Sequence, residues 1–355
     1  MSRGWGLVLF AVAALAFGLL VRGPYYLNIA VFICIHGLVA LGLGLLMGGA
    51  GQISLGHAGF YGLGAYASAI LTTRWGVNPW LAMGLGALAT GLVAALVGMP
   101  TLRLRGHYLA MGTLGLGAII QIVFNQADQI TEGPSGITAI PYLSIAGLPL
   151  STDHRFFFLV WPLLLGAMLL GGNLLDSRLG RALRALGENE GAAAAAGVDV
   201  PRAKLAVFVL SAVFASVAGS LYAHYLTYVS PSPFGFAFSI QLLVMVILGG
   251  EKSLWGPLVG AGVLTVLHQV LAGAAHQFPF FDGLETVAYG VILVLFLIFR
   301  PQGLAAPLRK PVSTSPPGPF PGAEREPVPQ ASSPAAEIAA LPSDGSEPAA
   351  PGVKP

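Results

Sequence analysis

Three histidines, His36, His57 and His268, stand in apolar stretches of the sequence, where an imidazole could bind a metal ion or act as a base. Each is isolated from the other residue types that complete a metal site. No pair of carboxylates and no nucleophile beside a base is visible either. We therefore predict no catalytic residue, no metal site and no cofactor, and expect the histidines to be packed and hydrogen-bonded within helices.

The sequence also lacks a nucleotide-binding loop. A P-loop needs a glycine directly before a Lys-Ser or Lys-Thr pair, so that backbone amides and the lysine together hold phosphates. The pair Lys252-Ser253 follows Glu251 instead. The chain is therefore predicted not to hydrolyse nucleotides, so that energy for transport must come from a partner or flow must be passive.

A glycine-rich segment at 48–59 interrupts the apolar pattern and carries the polar side chains of Gln52, Ser54 and His57. Irregular backbone at membrane depth is tolerated only where it lines a cavity or is buried in protein. One interpretation is a polar path through the membrane. The other is a cytoplasmic turn followed by a glycine-packed helix with His57 hydrogen-bonded in the bundle, and composition leaves both open.

A second break, rich in serine and proline, lies at 230–236. If two parts of the chain were an inverted pair, the two breaks would occupy corresponding positions, as in transporters built from repeats. This hypothesis is geometric, because no residue-level repeat is visible. The predicted translocation path is edged by residues of both breaks: Gln52, Ser54, His57, Ser230, Ser232, Phe234 and Phe236.

The predicted loop at 172–204 contains a run of alanines at 192–196, preceded by Glu188 and Glu190. Alanine favours helix, and acidic side chains favour the positive end of a helix dipole. A short helix is marginal alone in water, so we expect it to pack either on its own bundle or on a cytoplasmic protein. The remaining alternative is a simple linker.

The elements that position these segments follow from composition. Hydrophobic residues make up 55% of the 355 residues and charged residues 9%, against roughly a quarter charged in soluble domains. Continuous apolar runs near the ~20 residues that cross a bilayer favour helices over a β-barrel. We predict an all-α integral membrane protein, a polytopic bundle of about ten transmembrane helices, at 5–21, 26–47, 58–72, 79–99, 108–124, 156–171, 205–229, 238–249, 255–275 and 284–299.

Basic residues are distributed unequally between the predicted loops. If the N-terminus is cytoplasmic, the predicted extracytoplasmic loops hold only Arg22, Arg74 and Arg155. The predicted cytoplasmic loops then hold most of the other basic residues of the membrane domain. The positive-inside rule therefore predicts that both termini are cytoplasmic. The net charge of +2 is too small to indicate a nucleic acid partner.

Composition changes again near residue 308. Residues 1–307 are predicted to form a transmembrane domain that includes a cytoplasmic loop at 172–204. Residues 308–355 are rich in proline, alanine, serine and glutamate, with few large apolar side chains. Such a segment buries too little to offset the entropy of ordering, so it is predicted to be a disordered cytoplasmic tail.

Several blocks of the sequence resemble the signature of branched-chain amino-acid ABC transporter permeases, specifically the LivM-like subunit. They are residues 51–58 (GQISLGHA), 102–106 (LRLRG) with 108–110 (YLA), 180–185 (GRALRA), 253–257 (SLWGP) and 299–304 (FRPQGL). The blocks follow in the family's order and cover roughly residues 25 to 305. His107 and the Glu251-Lys252 pair depart from the family pattern. Urea and short-amide permeases share nearly the same motifs and are the alternative substrate class.

The resemblance implies a permease domain in the cytoplasmic (inner) membrane of a bacterium or archaeon, importing branched-chain amino acids. The implied partners are a LivH-like permease subunit, two cytoplasmic ATPase subunits and an extracytoplasmic solute-binding protein. Residues 187–200 resemble the family's coupling helix. The residues predicted to couple to the ATPases are Arg184, Glu188, Glu190, Ala193, Gly197 and Val198.

A stand-alone channel or secondary carrier is a competing interpretation. It would not depend on residues 187–200 and would work in liposomes without ATP. A membrane enzyme is disfavoured because the sequence shows no catalytic constellation.

Overall fold

The computed structural model describes residues 3–104, 106–145 and 147–277, together with residues 290, 291, 294 and 304. Helices dominate this part of the chain. In order, they are α1 (Arg3–Leu20), α2 (Pro24–Ala50), α3 (His57–Thr73), α4 (Pro79–Thr101), α5 (His107–Gln126), α6 (Asp128–Thr131), α7 (Asp153–Asp176), α8 (Arg178–Glu188), α9 (Glu190–Ala195), α10 (Val200–Leu226), α11 (Phe236–Gly249) and α12 (Gly256–Gln277).

Nine predicted helices coincide with observed ones, namely α1 to α5, α7 and α10 to α12. The predicted helix at 284–299, the motif at 299–304 and the tail at 308–355 lie outside the described residues, apart from the four single positions. The described part also contains a small hairpin of strands β1 (Ser144–Ile145) and β2 (Leu148–Pro149), which the all-α prediction did not include.

Five helices, α2, α4, α5, α7 and α10, are long and apolar enough to cross a bilayer. Shorter apolar helices occupy Trp5–Leu20, Phe236–Gly249 and Gly256–Leu271. These helices agree with a multi-pass membrane protein. The number of spans and the cytoplasmic location of the termini stay predictions.

Local sequence signals set the helix ends. The Asn78 side chain accepts a hydrogen bond of 3.0 Å from the Trp80 N–H at the start of α4, and Asp199 accepts one of 3.2 Å from the Arg202 N–H at the start of α10. Both are N-caps that satisfy otherwise unpaired amides. At the other end of a helix, Gly51 has a φ of 63° and terminates α2.

Helix α10 lies at the centre of the bundle, against α2, α3 and α4, while α2 also packs against α7 and α12. The α3–α10 contact depends on two glycines. A Cβ atom on Gly64 would overlap the backbone of Ser216, and one on Gly219 would overlap the carbonyl oxygen of Tyr61. Glycine therefore lets the two helices approach closely, as is typical of membrane bundles.

The outward face of α4 is apolar. Leucines spaced three or four residues apart along it are all exposed, namely Leu81, Leu85, Leu88, Leu92 and Leu96. Such a stripe would be unfavourable in water, and it suits lipid or another membrane subunit.

The bundle has two distinct ends. One end, called the basic end below, carries residues 51–56, the turn at 250–255 and the segment with α8 and α9. The basic side chains at this end include Arg184 on α8, Lys204 on α10 and Lys252 in the turn. The opposite end carries α6, the β hairpin and a short 3-10 turn at Ser232–Phe234. At the opposite end the Trp80 indole N–H donates to the Ser144 carbonyl over 2.7 Å, which attaches the hairpin to α4.

Candidate functional site

The predicted break between α2 and α3 is present, because residues 51–56 are not helical. The segment is held against α5. The Leu55 N–H donates to the Thr113 hydroxyl oxygen over 3.0 Å, and a Cβ on Gly56 would overlap the Thr113 carbonyl oxygen. The irregular backbone is therefore fixed by a neighbouring helix, in agreement with the rule that such backbone is buried in protein.

His57 joins the break to the central helix. Its Nδ1 atom lies 2.9 Å from the Ser54 Oγ atom, and its Nε2 atom lies 2.9 Å from the Ser211 Oγ atom on α10. The Ser211 hydroxyl also lies 2.8 Å from the Phe208 carbonyl oxygen, to which it donates. Ser211 therefore accepts from Nε2–H, and Nδ1 accepts from Ser54. Ser54 and His57 are fully buried, as expected for packed, hydrogen-bonded side chains.

Gln52 differs from these two residues. Its side chain is buried, at 3% exposure, and neither the amide nitrogen nor the amide oxygen has a hydrogen-bond partner in the described part of the chain. The residue borders a cavity of about 210 Å³ at the basic end, together with Gly187, Glu190 and Lys204. A buried unpaired amide is costly, so its two polar atoms require a partner outside the described residues, whether water, another molecule or a different state of the chain.

The short helix predicted from the alanine run is present as α9. Asn189 caps it by accepting a hydrogen bond of 3.0 Å from the Ala192 N–H, and Gly197, with a φ of 85°, turns the chain away two residues beyond its end. Helices α8 and α9 contact each other and are joined by Asn189, and the pair is called the α8–α9 hairpin below. Its apolar side chains Leu183, Leu186 and Ala193 are buried.

The residues predicted for coupling divide into two groups. Arg184, Glu188 and Gly197 are exposed on the α8–α9 hairpin. Ala193 is buried, and Glu190 and Val198 are half-buried against the bundle. The hairpin thus has one face attached to the bundle and one face open. The assignment of these residues to an ATPase stays a prediction.

The hairpin borders a cleft of about 450 Å³ at the basic end, with Arg184, Gly187 and Glu188 on one side and Glu251 and Lys252 on the other. The end of α2 forms its base. A Cβ on Gly48 would overlap the Glu251 carbonyl oxygen, so glycine allows the turn at 250–255 to approach α2. Four charged side chains therefore line this cleft, two of each sign.

The second predicted break lies at the opposite end, between α10 and α11. Phe234 is buried in an aromatic cluster with Tyr61, Tyr66, Phe124 and Tyr222. Of the other residues predicted here, Ser230 is half-buried, whereas Ser232 and Phe236 are exposed. The two breaks therefore lie at opposite ends of the bundle, as the hypothesis requires, while their role as a path stays a prediction.

A larger cavity, of about 700 Å³, lies beside the second break. Of the residues predicted for the path, Ser232 lines it. Sequence reasoning missed most of its wall, which is rich in aromatic side chains. The wall includes Phe32, His36, Tyr61, Tyr222, Phe238, Gln241, Thr265 and His268. His36 and His268, which stand isolated in the sequence, line one cavity, and the His36 Nδ1 atom lies 3.1 Å from the Thr265 Oγ1 atom.

Among the described residues, no three histidine, cysteine, aspartate or glutamate side chains group as a metal site would require. The two cavities and the cleft can hold small molecules or protein partners by hydrogen bonds, aromatic contacts and surface charge.

Comparison with known proteins identifies the family. A family model described as the permease component of the branched-chain amino acid transport system matches residues 25–299. The high-affinity branched-chain amino acid transport system permease protein LivM of Escherichia coli (strain K12) is 36% identical, over 86% of this chain and 75% of its own length. LivM of Salmonella typhimurium is 36% identical over 80% of this chain and 70% of its own length.

A second type of relative also matches. The permease protein LivH of Salmonella typhimurium is 25% identical, over 76% of this chain and 90% of its own length. No solved structure is significantly similar. The family match spans α2 to α12 and includes both breaks and the α8–α9 hairpin. The chain therefore belongs to the family of branched-chain amino acid transport permeases.

Proposed function

We propose that this chain is the permease subunit of an ATP-driven importer of branched-chain amino acids in a bacterial or archaeal cytoplasmic membrane. It would form the translocation path with a LivH-like permease, receive solute from an extracytoplasmic binding protein, and couple to two cytoplasmic ATPase subunits. The similarity to both LivM and LivH supports a pair of related permeases. In this arrangement the basic end is cytoplasmic, in keeping with the positive-inside rule.

The observation that carries this proposal is the architecture of the α8–α9 hairpin. Its buried leucines and Ala193 attach it to the bundle, and the Arg184 side chain adds a hydrogen bond of 2.9 Å to the Leu175 carbonyl oxygen at the end of α7. Arg184 and Glu188 are nevertheless exposed to a partner. A stand-alone channel has no need of a charged hairpin fixed at the end of its bundle. A subunit driven from outside needs such an element, because a partner must push on something that is rigidly connected to the helices.

The connection from the hairpin to the bundle is short. A Cβ on Gly187, near the end of α8, would lie 3.2 Å from the Gly49 carbonyl oxygen, so the hairpin contacts the end of α2 directly. Residues 51–56 follow, and they are joined to α5 through Thr113 and to α10 through His57 and Ser211. Closure of the ATPases on ATP would displace the hairpin and, through this chain of contacts, tilt α2, α5 and α10.

The proposal is tested by reversing exposed charges on the hairpin. In the variant Arg184→Glu with Glu188→Arg, we expect the ATPase subunits to be lost on affinity purification and ATP-dependent uptake to stop. A matched reversal, Arg74→Glu with Glu132→Arg, alters an exposed pair 3.9 Å apart at the opposite end. This variant should fold normally, because surface pairs contribute little to stability. It should also leave the ATPases bound, because it does not alter the hairpin.

The outcome that contradicts the coupling role is equally clear. If the hairpin variant is folded and retains its ATPases and its ATP-dependent uptake, the α8–α9 hairpin is not the docking element. Uptake by the wild-type chain alone, without ATP or ATPase subunits, would instead establish a stand-alone carrier.

A further inference from the structure

We propose that the cavity of about 700 Å³ at the opposite end is a solute-binding site, and that it takes a zwitterionic amino acid with an apolar side chain. This inference rests on the proposed function, because it names where that solute is held within this subunit. It does not depend on which ATPase or binding protein serves the complex.

The cavity lies between helices of this chain and is partly open, since its lining residues Ser232 and Ala237 are exposed. Its lining residues come from α2 (Phe32), α3 (Tyr61), α10 (Tyr222), α11 (Phe238) and α12 (Thr265). A cavity between five helices is a typical position for a ligand site in a helical bundle, and its volume lies in the range of small-molecule sites. It is therefore distinct from the leucine-covered outer face of α4, which suits lipid.

One polar group in the cavity wall has no partner. Tyr61 is 1% exposed, and its hydroxyl makes no hydrogen bond to any described residue. Buried hydroxyl groups are normally paired, and those left unpaired in a folded protein need an explanation. Because the hydroxyl oxygen is itself buried, a solute carboxylate in the cavity would accept a hydrogen bond from it once the Tyr61 side chain turns toward the cavity.

The aromatic rings of the wall supply a site for the opposite charge. The rings of Tyr61 and Phe238 are stacked with centroids 5.2 Å apart, and Tyr222 lies 5.5 Å from Tyr61. The faces of such rings attract ammonium groups through the electrostatics of their π-systems. An amino acid would therefore place its ammonium group against the half-buried rings of Phe32, Tyr222 and Phe238 and its carboxylate toward Tyr61.

The remaining wall sets the class of solute. Ala237, Ile240 and Val244 provide an apolar surface for an aliphatic side chain, whereas Ser232 and Gln269 provide uncharged polar groups. No aspartate, glutamate, lysine or arginine is among the described lining residues. A wall without these four residue types binds a zwitterion without a fixed ion pair to a carboxylate, lysine or arginine, which meets the requirement that a transported solute must both enter and leave.

The first test measures occupancy directly and needs no transport. Cys34, which is buried, is replaced by alanine, and the variant Ser232→Cys then carries a single thiol in the cavity wall. In nanodiscs containing the full chain, we expect leucine to slow labelling of this thiol by a maleimide, and urea to have no effect. The matched variant Ser151→Cys, exposed at the same end but outside the cavity lining, should label equally with and without leucine.

The second test uses the unpaired hydroxyl. In proteoliposomes that contain the complete importer, Tyr61→Phe should slow leucine uptake about two- to tenfold, as expected for loss of one hydrogen bond. Tyr66→Phe is the matched control, because the Tyr66 hydroxyl is also buried and unpaired but Tyr66 is not among the cavity residues. It should transport at the wild-type rate.

The results separate this inference from the proposed function. ATP-dependent leucine uptake by the wild-type complex, combined with no protection of the Ser232→Cys thiol and equal rates for both tyrosine variants, would overturn the cavity site alone. Protection by urea in place of leucine would overturn the solute class. Absence of ATP-dependent uptake with leucine protection intact would contradict the importer and leave the binding site standing.

Discussion

The Lys204 ammonium lies 3.0 Å from the Glu190 carboxylate, in an ion pair that joins the first residue of α9 to the first turns of α10. The two side chains differ in environment, because that of Lys204 is 7% exposed and that of Glu190 is 33% exposed. The pair fastens the open α8–α9 hairpin to the central helix of the bundle. It is therefore an electrostatic link between the predicted coupling element and the helix that contacts α2, α3 and α4.

The asymmetry of this pair gives the first prediction. Glu190→Gln leaves a buried ammonium without its carboxylate and should cost up to about 3 kcal/mol, whereas Lys204→Met removes the buried charge and should cost about 1 kcal/mol or less. Thermal unfolding of the purified variants measures both. The double variant should recover most of the stability lost in Glu190→Gln, and equal losses in the two single variants would contradict this account.

A second prediction concerns two serines on α10. Ser211→Ala removes the partner of the His57 Nε2 atom and should destabilise the protein by about 1–3 kcal/mol. Ser216 is equally buried on the same helix, but its hydroxyl has no partner among the described residues. Ser216→Ala should therefore be neutral or slightly stabilising. Unfolding midpoints of the two variants check this, and a similar loss in both would mean that His57 does not depend on Ser211.

Long apolar helices could be predicted from the sequence because their signal is local. Each residue of α2 or α10 contributes to one continuous hydropathy maximum, and the polar, glycine-rich stretch between α2 and α3 interrupts it visibly. The four-residue α6 and the hairpin β1–β2 carry no such signal. The hairpin is held by tertiary contacts such as that from Trp80 to Ser144, 64 residues apart in sequence.

The candidate site was less predictable for the same reason. His57 could be singled out with Ser54, three residues away, but its second partner Ser211 is 154 residues distant. His36 and Thr265 are 229 residues apart and meet in the wall of the large cavity. No periodic pattern in one sequence reports which faces of α2 and α12 come together. A lone histidine facing a threonine on another helix is therefore indistinguishable in the sequence from an isolated one.

The third prediction tests whether the unpaired amide of Gln52 belongs to the path. Gln52→Met keeps the volume and removes two unpaired polar atoms, so it should stabilise the protein by about 1–3 kcal/mol and reduce uptake. Thr90→Val is the control, because Thr90 is also buried with an unpaired hydroxyl and is outside the predicted path. It should gain stability and keep uptake. Normal uptake by Gln52→Met would remove Gln52 from the path.

The fourth prediction concerns the close crossing of α3 and α10. Gly219→Ala would place a Cβ atom against the carbonyl oxygen of Tyr61. Because this oxygen belongs to the backbone, it cannot move aside by a side-chain rotation, so the two helices must separate. We expect a loss of about 1–3 kcal/mol and slower leucine uptake, because the displaced segment carries Tyr61 in the cavity wall. Gly84→Ala on α4 meets no atom within 4 Å and should instead gain up to about 1 kcal/mol, since alanine is the better helix former. Unfolding midpoints and uptake rates of the two variants, measured side by side, distinguish steric separation from a general effect of alanine. Unchanged stability in Gly219→Ala would mean that α3 and α10 do not cross as closely as this packing requires.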